Sequence, residues 1–118
     1  NSVFTHLVAG DTEAYLRLAR KHLGKNGTLW GTWFIMDAEA RDLVRMGRSS
    51  LPFILTGGTT FHLDERGVST AAVAYNYDYL MSLFASNSFV IEKLEMGKWC
   101  DRGIEFGGYQ DLIVARLA

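Results

Sequence analysis

Thr28-Leu29-Trp30-Gly31-Thr32-Trp33-Phe34-Ile35-Met36 decides how this chain reads. The run is rich in β-branched and aromatic residues, which suit a pleated, half-buried surface. Apolar side chains fall on both faces, so a layer is needed on each side. Strands of this kind sit inside sheets covered twice, as in α/β folds. The turn Gly24-Lys25-Asn26-Gly27 feeds the run, and Asp37 ends it as a helix cap.

Upstream, Tyr15, Leu16, Ala19 and Leu23 recur at helical spacing, with Arg17, Arg20 and Lys21 turned outward. Asp11 is suited to cap that helix and Gly24 to end it in the left-handed conformation. Downstream, a second helix has Ala40, Leu43 and Val44 on one side and Gly47 as its stop. Residues 48–67 show no period and mix Pro52 and Gly57-Gly58 with Phe53, Ile54, Leu55, Phe61 and Leu63. Long, partly apolar connections of that type serve as lids or covers. Residues 68–75 read as extended, and Asn76 then caps a third helix with Leu80, Leu83 and Phe84 as its buried stripe and Asn87 as its stop. Residues 89–96 and 111–117 close the chain as an antiparallel hairpin, linked through Gly97, Gly103, Gly107 and Gly108. The alternation predicts an α/β layered sheet with three strands.

The chain has 118 residues, enough for one domain with a core of its own. Its formal charge is −1, and its densest basic group, Arg17, Arg20, Lys21 and Lys25, reads as a solvated helix face. Nucleic-acid binders carry a basic stripe for phosphate contacts, so no nucleic-acid partner is expected. Apolar runs are far shorter than the ~20 residues of a membrane helix. With no signal-peptide pattern and only Cys100, a soluble, cytoplasmic chain without internal disulfides is expected. The opening Asn1-Ser2-Val3-Phe4 has no initiator methionine and reads as cut from something longer.

Three groups of residues carry a resemblance. Ser2-Val3-Phe4-Thr5-His6-Leu7 is similar to the segment after the fourth strand of class I S-adenosylmethionine-dependent methyltransferases. Leu23-Gly24-Lys25-Asn26-Gly27 looks like that family's Leu-x-Pro-Gly-Gly turn without its proline. Gly97-Lys98-Trp99-Cys100 and Tyr109-Gln110-Asp111, ahead of an apolar strand, resemble the family's last hairpin, particularly in small-molecule methyltransferases. The match covers essentially the whole chain in the right order.

The resemblance implies the C-terminal half of a Rossmann-like methyltransferase sheet. Residues 1–118 would be one partial domain supplying strands five, six and seven, the last antiparallel between the other two. The N-terminal half would be absent, with its glycine-rich loop and its acidic residue for the cofactor ribose. S-adenosylmethionine would be the cofactor of the parent protein, held weakly or not at all by this chain alone. Ser2, Phe4 and Thr5 would border the cofactor, and His6 would act as general base on a small-molecule acceptor, having an ordinary pKa of ~6.5. His62, Tyr75, Trp99 and Tyr109 would line the acceptor pocket, whereas Trp30 and Trp33 read as core.

Other chemistries find less support. His6, His22, His62 and Cys100 lack the close paired spacing of a metal site, and Cys100 has no evident activating partner. Asp64-Glu65 and Glu92/Glu95 read as solvated surface. The competing function is a non-enzymatic α/β module. With strand 28–36 at an open edge, it would dimerise or swap elements through its unpaired amides.

Overall fold

Backbone amides buried in a sheet must find partners, and the pairing of residues 28–36 organises the whole molecule. The structure is a computed structural model that describes residues 2–3, 9–23, 27–63, 72–103 and 107–118. Along them run β1 (Ser2–Val3), α1 (Ala9–His22), β2 (Thr28–Met36), α2 (Ala38–Arg45), β3 (Thr60–His62), β4 (Val73–Asn76), α3 (Tyr77–Ser86), β5 (Phe89–Glu95) and β6 (Asp111–Leu117). They form a mixed sheet of order β3-β4-β2-β6-β5, with β1 added beside β2.

The quoted run is a central strand. On one edge β6 pairs antiparallel with it from Thr28↔Arg116 to Trp33↔Asp111. On the other edge two short parallel strands lie in line, β1 opposite Gly31 and Thr32 and β4 opposite Phe34 to Met36. No described strand pairs with 28–30 on that side. The edge offered for self-association is therefore short. β5 pairs antiparallel with β6, so β2 and β5 run parallel with β6 reversed between them.

Alternation along the strands divides the core in two. Leu29, Trp33 and Ile35 of β2 join Val73 and Tyr75 of β4 and Ile113 and Ala115 of β6 under α1 and α3, which contribute Leu16, Leu80, Leu83 and Phe84. Phe34, Met36 and Ala74 point the other way, to Ala40 and Leu43 of α2 and to Phe53, Phe61, Trp99 and Cys100. Phe53 belongs to the aperiodic 48–67 connection, part of which covers the second face.

Local signals explain the helix ends. Asp37 Oδ1 accepts from the Ala40 amide at 2.8 Å, and Asn76 Oδ1 accepts from Tyr79 at 3.1 Å. Each satisfies an amide with no partner inside its helix. Gly47 closes α2 at φ +76°, a conformation that suits glycine. Asn87 does cap α3, but at φ −101°. Its buried carboxamide donates to Leu83 O at 2.8 Å, and the left-handed turn passes to Ser88 at φ 67°.

Several expectations need correction. The sheet has more than three strands, because β1, β3 and β4 are too short for a period to show. Helix α1 begins at Ala9, which puts Asp11 inside its first turn rather than at its cap. Of the extended stretch 68–75, the described part from residue 73 is strand, and 64–71 lies outside the described residues, as do Gly24, Lys25 and Asn26. Trp33 is core, but Trp30 is 38% exposed, since no described element covers the second face at that end of β2. Among the described residues, no helix is long and apolar enough to cross a membrane.

Candidate functional site

The site lies where β6 begins. Its ladder with β2 stops at Trp33↔Asp111, yet the Ile35 amide two residues on still needs a partner. The side chain of Asp111 supplies it, Oδ2 accepting from Ile35 N at 2.7 Å. Trp99 Nε1 donates to the same oxygen at 2.9 Å, and Gly97 N donates to Oδ1 at 2.6 Å. A carboxylate can be buried when both its oxygens are hydrogen-bonded, and these three donors satisfy both. Burial nonetheless moves the Asp111 pKa above the ordinary 3.8, against the pull of those donors and of Arg102.

Asp111 thereby ties residues 97–99 to the sheet. Lys98 N donates to Gly108 O at 3.1 Å and Trp99 N to Tyr109 O at 3.0 Å, closing a narrow hairpin. Trp99 is wholly buried and packs edge-on against Phe34 and Phe53, with ring centroids 5.6 and 5.5 Å away. Tyr109 extends this cluster outward, its ring 6.1 Å from Phe34 and its hydroxyl 2.6 Å from Ser50 Oγ. Ser50 Oγ also donates to Trp99 O at 3.0 Å. Tyr109 is thus a half-exposed aromatic wall held at both ends.

Arg102 fastens the next turn to the start of α2. Its side chain is only 3% exposed, and Nη1 lies 3.1 Å from Asp37 Oδ1 and 2.8 Å from Glu39 Oε1. Burial opposes its charge, but the Glu39 hydrogen bond and the Asp37 and Asp111 charges prevail and hold its pKa above the ordinary guanidinium range. With the guanidinium buried and Glu39 61% exposed, such pairs place chain segments rather than add much stability.

Cys100, buried beside this network, has its thiol pushed up to about 11, chiefly by burial, with Arg102 opposing. A thiolate is the reactive species, and at pH 8 about one thiol in a thousand would be ionised. Cys100 is therefore expected to resist Ellman's reagent in the folded chain and to react fully in denaturant. Rapid labelling under native conditions would contradict its burial.

Between the 107–110 turn and the sheet lies a cleft of about 570 Å3. Thr32 of β2, Leu112 of β6, and Glu95 and Met96 at the end of β5 line it, with Tyr109 and Gln110 above. Thr32 Oγ1 donates to Gln110 Oε1 at 2.8 Å, which fixes the carboxamide.

The site residues read from the sequence fall in several places. Ser2 is in β1, opposite Gly31. Phe4, Thr5 and His6 lie outside the described residues. Trp99 and Tyr109 share the aromatic cluster on the second face, where Tyr109 lines the cleft. Tyr75 is on the opposite face, buried under α1 with its hydroxyl 2.7 Å from Thr12 Oγ1. His62 is half-buried on β3, its Nε2 3.4 Å from Thr60 Oγ1. The structure therefore brings Trp99 and Tyr109 together but separates both from Tyr75. Among the described residues no group of His, Cys, Asp and Glu is placed to hold a metal ion. Comparison with family models, with curated proteins and with solved structures finds no match for this chain.

Sequence reading missed the linking roles of Asp111 and Arg102. The available signal was a lone carboxylate directly ahead of the apolar run Leu112-Ile113-Val114, where an unpaired charge would be costly.

Proposed function

We propose that this chain forms the acceptor side of an enzyme that moves a methyl group from S-adenosylmethionine to a small molecule. The position of β6 carries the reading: it is the last strand, reversed between two parallel ones. A parallel strand beside β2, followed by α1, adds support. β1, β2, β6 and β5 follow the order expected for strands four, five, seven and six of a class I methyltransferase in a Rossmann-like sheet, while β4 and β3 are additional strands on the β1 edge of β2.

The described residues do not form a holder for the cofactor by themselves. Such holders use a glycine-rich loop between strand and helix and a carboxylate free for ribose hydroxyls. After β2 stands Asp37-Ala38, and Asp37 is already engaged by Arg102 and the Ala40 amide. What the chain offers is a surface for an acceptor, namely a fixed aromatic wall, a carboxamide and an apolar floor. Aligning an acceptor and excluding water are tasks that such a surface performs. His6 as general base, the other N-terminal site residues and a cytoplasmic setting belong to the same proposal.

Titration calorimetry with S-adenosylmethionine is expected to give weak binding or none to the 118-residue chain. Micromolar affinity would overturn this division of labour. The coding sequence upstream is expected to encode a strand followed by a glycine-rich loop; unrelated sequence there would remove the methyl-transfer reading.

One observation favours a second reading, a module that self-associates. Trp30 and Val90 are 38% and 39% exposed on the uncovered part of the second face. Exposed apolar surface of this kind invites a partner. Since β2 is paired along most of both edges, contact through this face is better supported than an added strand. Light scattering decides it, a strict monomer at high concentration arguing against the module.

A further inference from the structure

We infer that the 570 Å3 cleft takes a small neutral or cationic aromatic molecule and discriminates against carboxylates and phosphates. It rests on the methyl-transfer reading only in identifying this ligand with the acceptor. Apart from the Tyr109 phenol, Glu95 is the one ionisable group among the described residues of the lining. Met96 and Leu112 supply apolar surface, and Tyr109 offers a ring edge or face, so a planar body is accommodated. With Gln110 Oε1 engaged by Thr32, the carboxamide N–H groups are the donors left for a ligand oxygen.

Lys98, whose amide donates to Gly108 O, is not among the described residues that line the cleft, and the other described cations nearby are already paired. Lys93 Nζ lies 3.3 Å from Glu95 and is more than half exposed, as is Glu95 itself. Exposed pairs of that kind are worth little, so an ammonium group on the ligand competes with Lys93 on even terms. Arg102 is sequestered by Asp37 and Glu39, and Arg116 by Glu92 at 2.8 Å. An anion would therefore meet the Glu95 carboxylate with no cation among the described lining residues to receive it.

Three probes of one shape test this: tyramine, 4-ethylphenol and 4-hydroxyphenylacetate, titrated into the ¹⁵N-labelled chain. Saturable amide shifts are expected at Gly107, Gly108 and Gln110, with tyramine binding about fourfold or more tighter than the carboxylate, as for one charge pair ~5 Å apart in water. Glu95→Gln should abolish that preference and leave the spectrum of the fold unchanged, while Gln110→Ala should weaken all three probes. No saturable shift at these amides, or equal binding of anion and cation, would overturn the inference. The titration needs no cofactor. Its failure would remove the specificity of the cleft and leave the strand-order proposal standing, while unrelated upstream sequence would do the reverse.

Discussion

Asp111→Ala is expected to cost about 3–5 kcal/mol, enough to bring this chain close to unfolding at 25 °C. The substitution leaves the amides of Ile35 and Gly97 and the indole of Trp99 without an acceptor. Each unsatisfied buried donor costs about 1–3 kcal/mol, and the three share one acceptor, so their costs do not add fully. Asp111→Asn should cost less, about 1–2 kcal/mol, because one oxygen can still serve Ile35 and Trp99 while the new amide faces the Gly97 N–H. Urea midpoints for the two variants check the order. A loss under about 1 kcal/mol for alanine would mean that water replaces the carboxylate and that the site is more open than it stands.

The same residue sets a pH signature. Burial holds the folded-state pKa of Asp111 above 3.8, so the folded chain takes up its proton before the unfolded chain does. The stability linked to that shift is fully present below the unfolded pKa and is lost as pH rises through the folded value. The margin of the wild type over Asp111→Asn should accordingly widen on acidification through the window just above 3.8. A margin that shrinks there would show that the N–H donors outweigh burial.

The parts of this fold that the sequence made legible are those in which one side chain acts on its own neighbourhood. Asp37 and Asn76 cap helices because the amides they accept from lie three residues away. The doubly apolar run of β2 reports two covering layers, and two cores are found. Interactions that depend on distant parts of the chain were not legible. β1 and β3 have two and three residues, too few for a period, and exist because β2 and β4 offer them amides. Trp30 and Trp33 look equivalent in sequence, but residues three apart in a strand face opposite sides, and no described element covers the side of Trp30 at that end of β2. In the candidate site the resemblance assigns Trp99, Tyr109 and Tyr75 alike to the acceptor pocket, yet strand alternation sends Tyr75 to the other face. Asp111 and Arg102 escaped notice because their partners lie 12 to 76 residues away.

Gly97→Ala is expected to lower stability by about 2–4 kcal/mol and to erase the cleft as a defined feature. A methyl group on Gly97 would run into the backbone carbonyl oxygens of Tyr109 and Gln110 and approach the Gln110 carbonyl carbon to 2.6 Å. Backbone does not rotate aside as a side chain does, and here it is pinned on both sides. The Gly97 amide is bound to Asp111, and the next two amides are bound to Gly108 O and Tyr109 O at 3.1 and 3.0 Å. Relief therefore means parting the hairpin, which frees the Asp111 carboxylate and releases Tyr109 and Gln110 from their places over the sheet. Gly57→Ala is the matched control, since nothing stands within 4 Å of its added carbon, and it should change stability by under about 0.5 kcal/mol. Thermal melts should separate the two variants by roughly 10 °C, and the amide shifts of Gly107, Gly108 and Gln110 should move only in the first. If Gly97→Ala melts with its control, the hairpin yields without loss, and neither Asp111 nor the cleft can owe its geometry to that close approach.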